Sequence, residues 1–244
     1  MCKLRVFTEN HQRYHLIAWQ HRSRLLSEVK NKLWPGQVSK LESNRITHHK
    51  LMGTHRFLAV EHPWDMILQP SDYIHQAQPG AYAKAIDVFY KAGGELLILA
   101  EPGPVKTSVL QNLAHDLVVI AEQEPDNTPM ASTVPVVINL SSWTKKRKSI
   151  AIWLVDQLAT EYHVPKSIGR MWVNNQQLLL LLDGLDEVRQ KYRPECVKKL
   201  NNFHQHYGLM KMVICCRMVE YAALPVRLKL QDAITLPSSA TSSQ

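Results

Sequence analysis

The sequence predicts an α/β fold in which a parallel sheet is flanked by helices and preceded by a small, basic, partly helical segment. Short apolar runs of strand length alternate with helix-length segments over residues 84–236, a pattern typical of parallel sheets. Positive charge is concentrated ahead of this region, and a stretch containing Pro and Gly separates the two. We therefore divide the chain into a basic N-terminal segment (1–66), a linker (67–83), an α/β domain (84–236) and a disordered tail (237–244).

Composition and charge argue against a membrane-spanning, a secreted or a disulfide-rich protein. The 244 residues are 45% hydrophobic and 20% charged, which suits one sizeable core with an appendage. Residues 1–66 contain 11 Lys and Arg against 5 Asp and Glu, and so supply +6 of the total net charge of +8. No apolar run approaches the roughly 18 residues of a membrane span, and the first residues lack an apolar signal core. The four cysteines are too few for a disulfide framework, so we expect reduced thiols in a cytoplasmic protein.

The predicted elements follow from apolar periodicity and from Gly and Pro signals. Helices are expected at residues 12–33, 84–92, 106–122, 149–162, 166–173, 194–207 and 217–223. Strands are expected at residues 95–100, 134–140, 177–182, 211–216 and 228–236. In such sheets ligands bind beyond the carboxyl ends of the strands, so the residues that follow each strand are the candidates for function.

A candidate phosphate-binding loop follows the first strand, in the segment Ala100-Glu-Pro-Gly-Pro-Val-Lys-Thr-Ser108. Alignment with the pattern G-x-x-x-x-G-K-[ST] places its Lys and Thr at Lys106 and Thr107. A helix that begins here would offer free backbone N–H groups and a positive dipole to phosphate. Lys106 would add a positive charge and Thr107 a hydroxyl for Mg²⁺, with Gly103 and Ser108 as further contacts of the cofactor.

The loop departs from the pattern at both signature glycines, where Ala100 and Val105 stand instead. The second glycine usually needs a positive φ, so we expect strain at Val105 on the order of 1–3 kcal/mol. Pro104 also removes one N–H group. The loop is therefore expected to be distorted or closed against nucleotide. An incidental Lys-Thr pair in an ordinary strand-turn-helix remains an alternative.

An acidic cluster follows the most apolar strand, in the sequence Leu178-Leu-Leu-Leu-Leu-Asp-Gly-Leu-Asp-Glu-Val188. Asp183 lies at the carboxyl end of that strand, where its carboxylate could hold Mg²⁺ through oxygen. Either Asp186 or Glu187 could orient or deprotonate the water that attacks a γ-phosphate. The alternative is a buried strand that ends in a solvated acidic turn.

Four segments together resemble the NACHT group of P-loop NTPases, within the STAND class of signalling proteins. LLILAEPGPVKTS is similar to that group's Walker A segment, and LLLLLDGLDEV (178–188) closely resembles its Walker B segment. VPVVINLSSW (134–143) resembles the strand between them, and VICCR (213–217) resembles the strand that ends in an arginine. The resemblance covers residues 84–236 and implies a P-loop NTPase-like fold.

The resemblance also implies a function, namely a switch that binds ADP or ATP with Mg²⁺ and associates with itself or with a protein partner. Its site residues, carried over by position, would be Lys106 and Thr107 for phosphate, Thr107 and Asp183 for Mg²⁺, Asp186 and Glu187 for water, and Arg217 as the sensor of the γ-phosphate. The segments that normally close the site would follow near residue 240. The chain is therefore expected to be truncated after the core.

Three functions follow from these observations. The first is a nucleotide-binding regulatory switch with weak or absent hydrolysis. The second is a pseudo-NTPase that serves as an interaction module without binding nucleotide, which the altered loop favours. The third, nucleic-acid binding, is supported only by the basic residues of 1–66. We expect the first, with neither nucleic acid nor a membrane as a partner.

Overall fold

The computed structural model describes residues 20–33, 85–102, 105–123, 133–145 and 148–236. The helices are α1 (20–33), α2 (Ala85–Lys91), α3 (Val105–Gln123), α4 (Ile150–Glu161), α5 (Lys166–Asn174), α6 (Arg193–His206) and α7 (Met218–Ala222). The strands are β1 (Glu95–Ala100), β2 (Val134–Asn139), β3 (Leu178–Asp183), β4 (Met212–Arg217) and β5 (Asp232–Leu236). Short 3₁₀ turns occupy Leu140–Lys145, Leu185–Glu187 and Gln190–Tyr192.

The strands form one five-stranded sheet in the order β2-β3-β4-β1-β5, and every pairing is parallel. This confirms the predicted α/β fold with a parallel sheet flanked by helices. In the register, Asn139 lies opposite Asp183, and Ala100 lies opposite Arg217. The ends of four strands therefore meet along one edge of the sheet.

The sheet is buried on both faces because alternate residues of each strand enter two different cores. In β3, Leu178, Leu180 and Leu182 pack with the helices α4, α5 and α6. Leu179 and Leu181 belong to the second core, which holds residues of α2 and α3. Complete burial of such a side chain is worth about 1.5–3 kcal/mol, so the leucine run anchors β3 firmly in both cores.

Helix α1 packs on the same core as the sheet, although it lies in the segment 1–66. Its Leu25, Leu26 and Val29 are at most 3% exposed and join the larger core cluster. The Arg22 guanidinium donates a hydrogen bond of 2.7 Å to the carbonyl of Ala121 near the end of α3. The basic segment thus contributes an integral helix to the α/β domain.

One predicted boundary, the start of the last strand, differs from the structure. The last strand begins at Asp232 and not at Leu228, because the backbone N–H groups just after residue 227 bond to side chains. That of Leu228 donates to the Tyr221 hydroxyl, and that of Lys229 donates to Asn201. The predicted helix at 12–19, the linker and the tail lie outside the described residues.

The cysteines of the described residues are free thiols in the core. Cys196, Cys215 and Cys216 are each 0% exposed. Burial raises the pKa of Cys196 and of Cys216 to about 12, which keeps both thiols protonated near neutral pH. These side chains therefore act as core packing. Within the described ranges, no helix has the length and apolar character that a membrane crossing requires.

Candidate functional site

The start of α3 and the end of β3 meet at the carboxyl edge of the sheet. The Lys106 ammonium lies 3.3 Å from Asp183 Oδ1. The Thr107 hydroxyl donates to Asp183 Oδ2 at 3.1 Å. The fold therefore brings together the basic and acidic groups that the sequence places 76 or more residues apart.

Lys106 makes a second and shorter contact, to Asp186 Oδ1 at 2.7 Å. The lysine is only 6% exposed. Burial lowers the pKa of its ammonium, but the hydrogen bond to Asp186 and the charges of Asp183 and Asp186 outweigh that effect, so the pKa is raised. Lys106 is thus a buried cation neutralised by two carboxylates of the same chain.

Arg217 lies on the other side of Asp186, at the end of β4. Its Nε is 3.1 Å from Asp186 Oδ2, and its backbone N–H donates to Asp186 Oδ1 at 3.2 Å. One terminal nitrogen is 3.8 Å from Glu220 of α7. Asp186 therefore bridges two cations, Lys106 and Arg217, that the family resemblance predicts to contact phosphate.

Glu187 has different surroundings from its neighbour Asp186. It is exposed, and its Oε2 accepts a 2.8 Å hydrogen bond from the side-chain amide of Asn139. Asn139 is held in turn, because its Oδ1 accepts from the backbone N–H of Ser141 at 2.7 Å. Glu187 therefore contacts a neutral donor and remains accessible to solvent.

A glycine leaves room for the Asn139 amide to reach the Glu187 carboxylate. Gly184 has φ of 74°, in the left-handed region, and directly follows Asp183. A Cβ atom at this position would lie 2.9 Å from the Glu187 carboxylate and 3.2 Å from the Asn139 amide nitrogen. The small residue after the first Asp of the Walker B-like segment is thus required both by backbone conformation and by space.

The acidic turn is also held from behind by Arg193, the first residue of α6. This arginine is 8% exposed. Its guanidinium donates to the carbonyl of Asp186 at 2.6 Å and to that of Val188 at 3.1 and 3.2 Å. The buried side chain therefore fixes the backbone that carries Asp186 and Glu187.

The remaining positions of the phosphate loop are only partly described. Gly103 and Pro104 lie outside the described residues, whereas Thr107 is exposed and Ser108 is half-buried. The strain expected at Val105 is absent, because Val105 is the first residue of α3. Among described residues other than glycine, a positive φ occurs only at His163 and Gln176.

The donor set at Asp183 suits Mg²⁺ chemically. A carboxylate and the hydroxyl of Thr107 lie within 3.1 Å of each other, and Mg²⁺ prefers oxygen ligands. In the described part of the chain, no group of three or more His, Cys, Asp or Glu side chains could hold a metal by itself. A divalent ion here would therefore take its other ligands from phosphate oxygens and water, as Mg²⁺ commonly does.

Two residues of this arrangement were missed by the sequence analysis. Asn139 had a usable signal, since it is a polar residue at the end of a predicted apolar strand that runs parallel to β3. Arg193 had none, because an arginine at the start of a helix is ordinarily solvated. Its role depends on the guanidinium turning back to the carbonyls 5 and 7 residues earlier in the chain.

Comparison of the chain with family models, with curated proteins and with solved structures gives no match in any of the three.

Proposed function

We propose that this chain is a NACHT-like P-loop domain that binds ATP or ADP with Mg²⁺ and acts as a regulatory switch, with weak or absent hydrolysis. The proposal rests on one observation above all. Lys106 Nζ and the Thr107 hydroxyl both contact the Asp183 carboxylate, at 3.3 and 3.1 Å, at the carboxyl edge of a parallel sheet. That edge is where nucleotides bind in open α/β folds.

Each contact fits a role in binding phosphate. Helix α3 starts at Val105, so its first backbone N–H groups and the positive end of its dipole point toward this edge. Asp183 and Thr107 would hold Mg²⁺, which supplies positive charge between the phosphates. Glu187, exposed and positioned by Asn139, would orient water beside the γ-phosphate. Together these groups, which follow three different strands, would bind phosphate, Mg²⁺ and water.

A second candidate is favoured by the burial of Lys106. A lysine that is 6% exposed and paired with two carboxylates offers little surface to an added phosphate. The chain could then serve as a pseudo-NTPase interaction module that uses the same ion pairs to stabilise its fold. This candidate predicts a stable domain with no response to nucleotide.

The experiment that separates the two is thermal unfolding of the full chain with and without Mg²⁺-ATP and Mg²⁺-ADP. The same measurement is made on a variant that carries Pro104→Ser and Val105→Gly. A ligand at one hundred times its Kd stabilises by about 2.7 kcal/mol, or about 5–10 °C for a domain of this size. A rise in unfolding temperature with nucleotide in both proteins supports the switch. A rise only in the Pro104→Ser, Val105→Gly variant supports the pseudo-NTPase. No shift in either would overturn the proposed function.

Thr107→Val provides the matched control for the metal. The exposed side chain keeps its shape but loses the hydroxyl that contacts Asp183. We expect the stabilisation by Mg²⁺-nucleotide to fall toward the value measured with nucleotide and EDTA. A shift that is equally large in Thr107→Val and wild type would show that the ligand binds elsewhere.

A further inference from the structure

Asp186 has both of its carboxylate oxygens engaged. Oδ1 lies 2.7 Å from Lys106 Nζ and accepts the Arg217 backbone N–H at 3.2 Å, while Oδ2 lies 3.1 Å from Arg217 Nε. Its side chain is 3% exposed. A general base must accept a proton from a water molecule with a free oxygen, and Asp186 presents none to solvent in this arrangement.

The partners of Asp186 are also the groups that would meet nucleotide. Carboxylate and phosphate are recognised by the same charged donors with similar geometry. A phosphate that approached Lys106 and Arg217 would therefore compete with Asp186 for them. Because Lys106 and Asp186 are both buried, their charge-assisted bond is stronger than that of an exposed pair, whereas the Arg217 side chain is 47% exposed.

Glu187 provides the internal contrast. It is the next residue in the chain, and it contacts the neutral amide of Asn139 at 2.8 Å. Its substitution by an amide would leave the Lys106 and Arg217 contacts in place. Of the two adjacent acids in the Walker B-like segment, Asp186 thus contacts cations and Glu187 contacts a neutral amide.

We infer that Asp186 sets the affinity for nucleotide by competing with phosphate for Lys106 and Arg217, and that phosphate is admitted when this carboxylate bridge opens. The inference rests on the proposed function, because it concerns the same site. Asp186 would then hinder nucleotide binding, whereas a general base or a residue that orients water would assist the reaction. Neutralising Asp186 should then tighten nucleotide binding, whereas loss of a catalytic acid would leave binding unchanged or weaken it.

The test is Asp186→Asn, which keeps the shape and one acceptor oxygen but removes the charge. Its Kd for Mg²⁺-ADP and Mg²⁺-ATP is measured by calorimetry beside wild type and the control Asp87→Asn, which neutralises an exposed carboxylate on α2. A hydrogen bond to a charged group is worth about 1.5–3 kcal/mol, so we expect binding about tenfold tighter or more in Asp186→Asn. Asp87→Asn should stay within about threefold of wild type, since this exposed side chain takes part in none of the contacts at the site.

A second variant, Asp186→Ser, guards against an effect peculiar to asparagine, and urea unfolding without nucleotide shows that each variant folds. If wild type binds nucleotide and neither variant binds more tightly, the inference fails while the proposed function stands. If wild type and both folded variants bind no nucleotide, both fail. Loss of cooperative unfolding in both variants would show that Asp186 is needed for the fold itself, and would also overturn the inference.

Discussion

The acidic turn after β3 and the start of α3 bring opposite charges to one edge of the sheet, but they are held in place differently. The turn is fixed by polar contacts, from Arg193 to its backbone and from Asn139 to Glu187, in addition to the burial of its two apolar residues. Helix α3 is fixed by apolar packing, with Leu110 and Leu113 at most 1% exposed. Polar contacts constrain direction more narrowly than apolar burial does, so the carboxylates are the more precisely positioned half of the site.

The strongest test of this difference is Arg193→Met, which keeps an apolar stem but removes the donors. It leaves two carbonyls without this donor, at about 1–3 kcal/mol each, so we expect the free energy of unfolding to fall by about 2–6 kcal/mol. Urea denaturation measures this loss. The exposed Arg170→Met on α5 is the matched control, and it should change stability by less than about 0.5 kcal/mol. Equal effects of the two variants would mean that Arg193 does not hold the turn.

A smaller effect is expected from Gly184→Ala, which tests whether the turn needs its left-handed residue. The positive φ costs an alanine about 1–2 kcal/mol, and the added methyl displaces the Glu187 carboxylate. Gly208→Ala is the control, because its nearest atom beyond the chain neighbours would be 3.9 Å away. We expect a clear fall in the urea midpoint for Gly184→Ala alone. Indistinguishable midpoints would contradict the assigned conformation.

The smallest effect concerns pH and the Lys106 side of the site. The pKa of Lys106 is raised above its ordinary value of 10.5, so its ion pairs stabilise the fold fully below that pH. This stabilisation is lost as the pH rises through the folded-state pKa. The stability advantage of wild type over Asp186→Asn should therefore shrink above pH 10.5 in urea titrations across the alkaline range. An advantage that persists unchanged there would argue against the Lys106–Asp186 pair.

Much of this architecture could be predicted from the sequence because it depends on local apolar patterns. The five leucines before Asp183 predict a buried interior strand with a carboxylate at its end, as the structure has it. A strand, a turn and a helix likewise place Lys106 at the same edge of the sheet. The parallel register then follows from helices that return the chain between strands.

The remaining features depend on three-dimensional geometry that a linear pattern does not encode, since Arg193 reaches back to carbonyls 5 and 7 residues earlier and Asn139 meets Glu187 across 48 residues. The assignment of Arg193 as a clamp required the path of α6, and the pairing of Asn139 with Glu187 required the register of β2 on β3. The expected strain at Val105 was wrong for another reason. The prediction assumed the usual loop conformation, whereas the helix already begins at this residue.

The docking of α1 has a practical consequence for preparing a minimal version of this protein. A fragment that starts at residue 84 would lack Leu25, Leu26 and Val29, whose burial is worth roughly 5–9 kcal/mol as an upper bound. That is comparable with the whole net stability of a typical domain, about 5–15 kcal/mol. It would also leave the Ala121 carbonyl at the far end of α3 without its guanidinium donor. The shortest piece expected to fold therefore includes α1, despite the intervening stretch between residues 33 and 85.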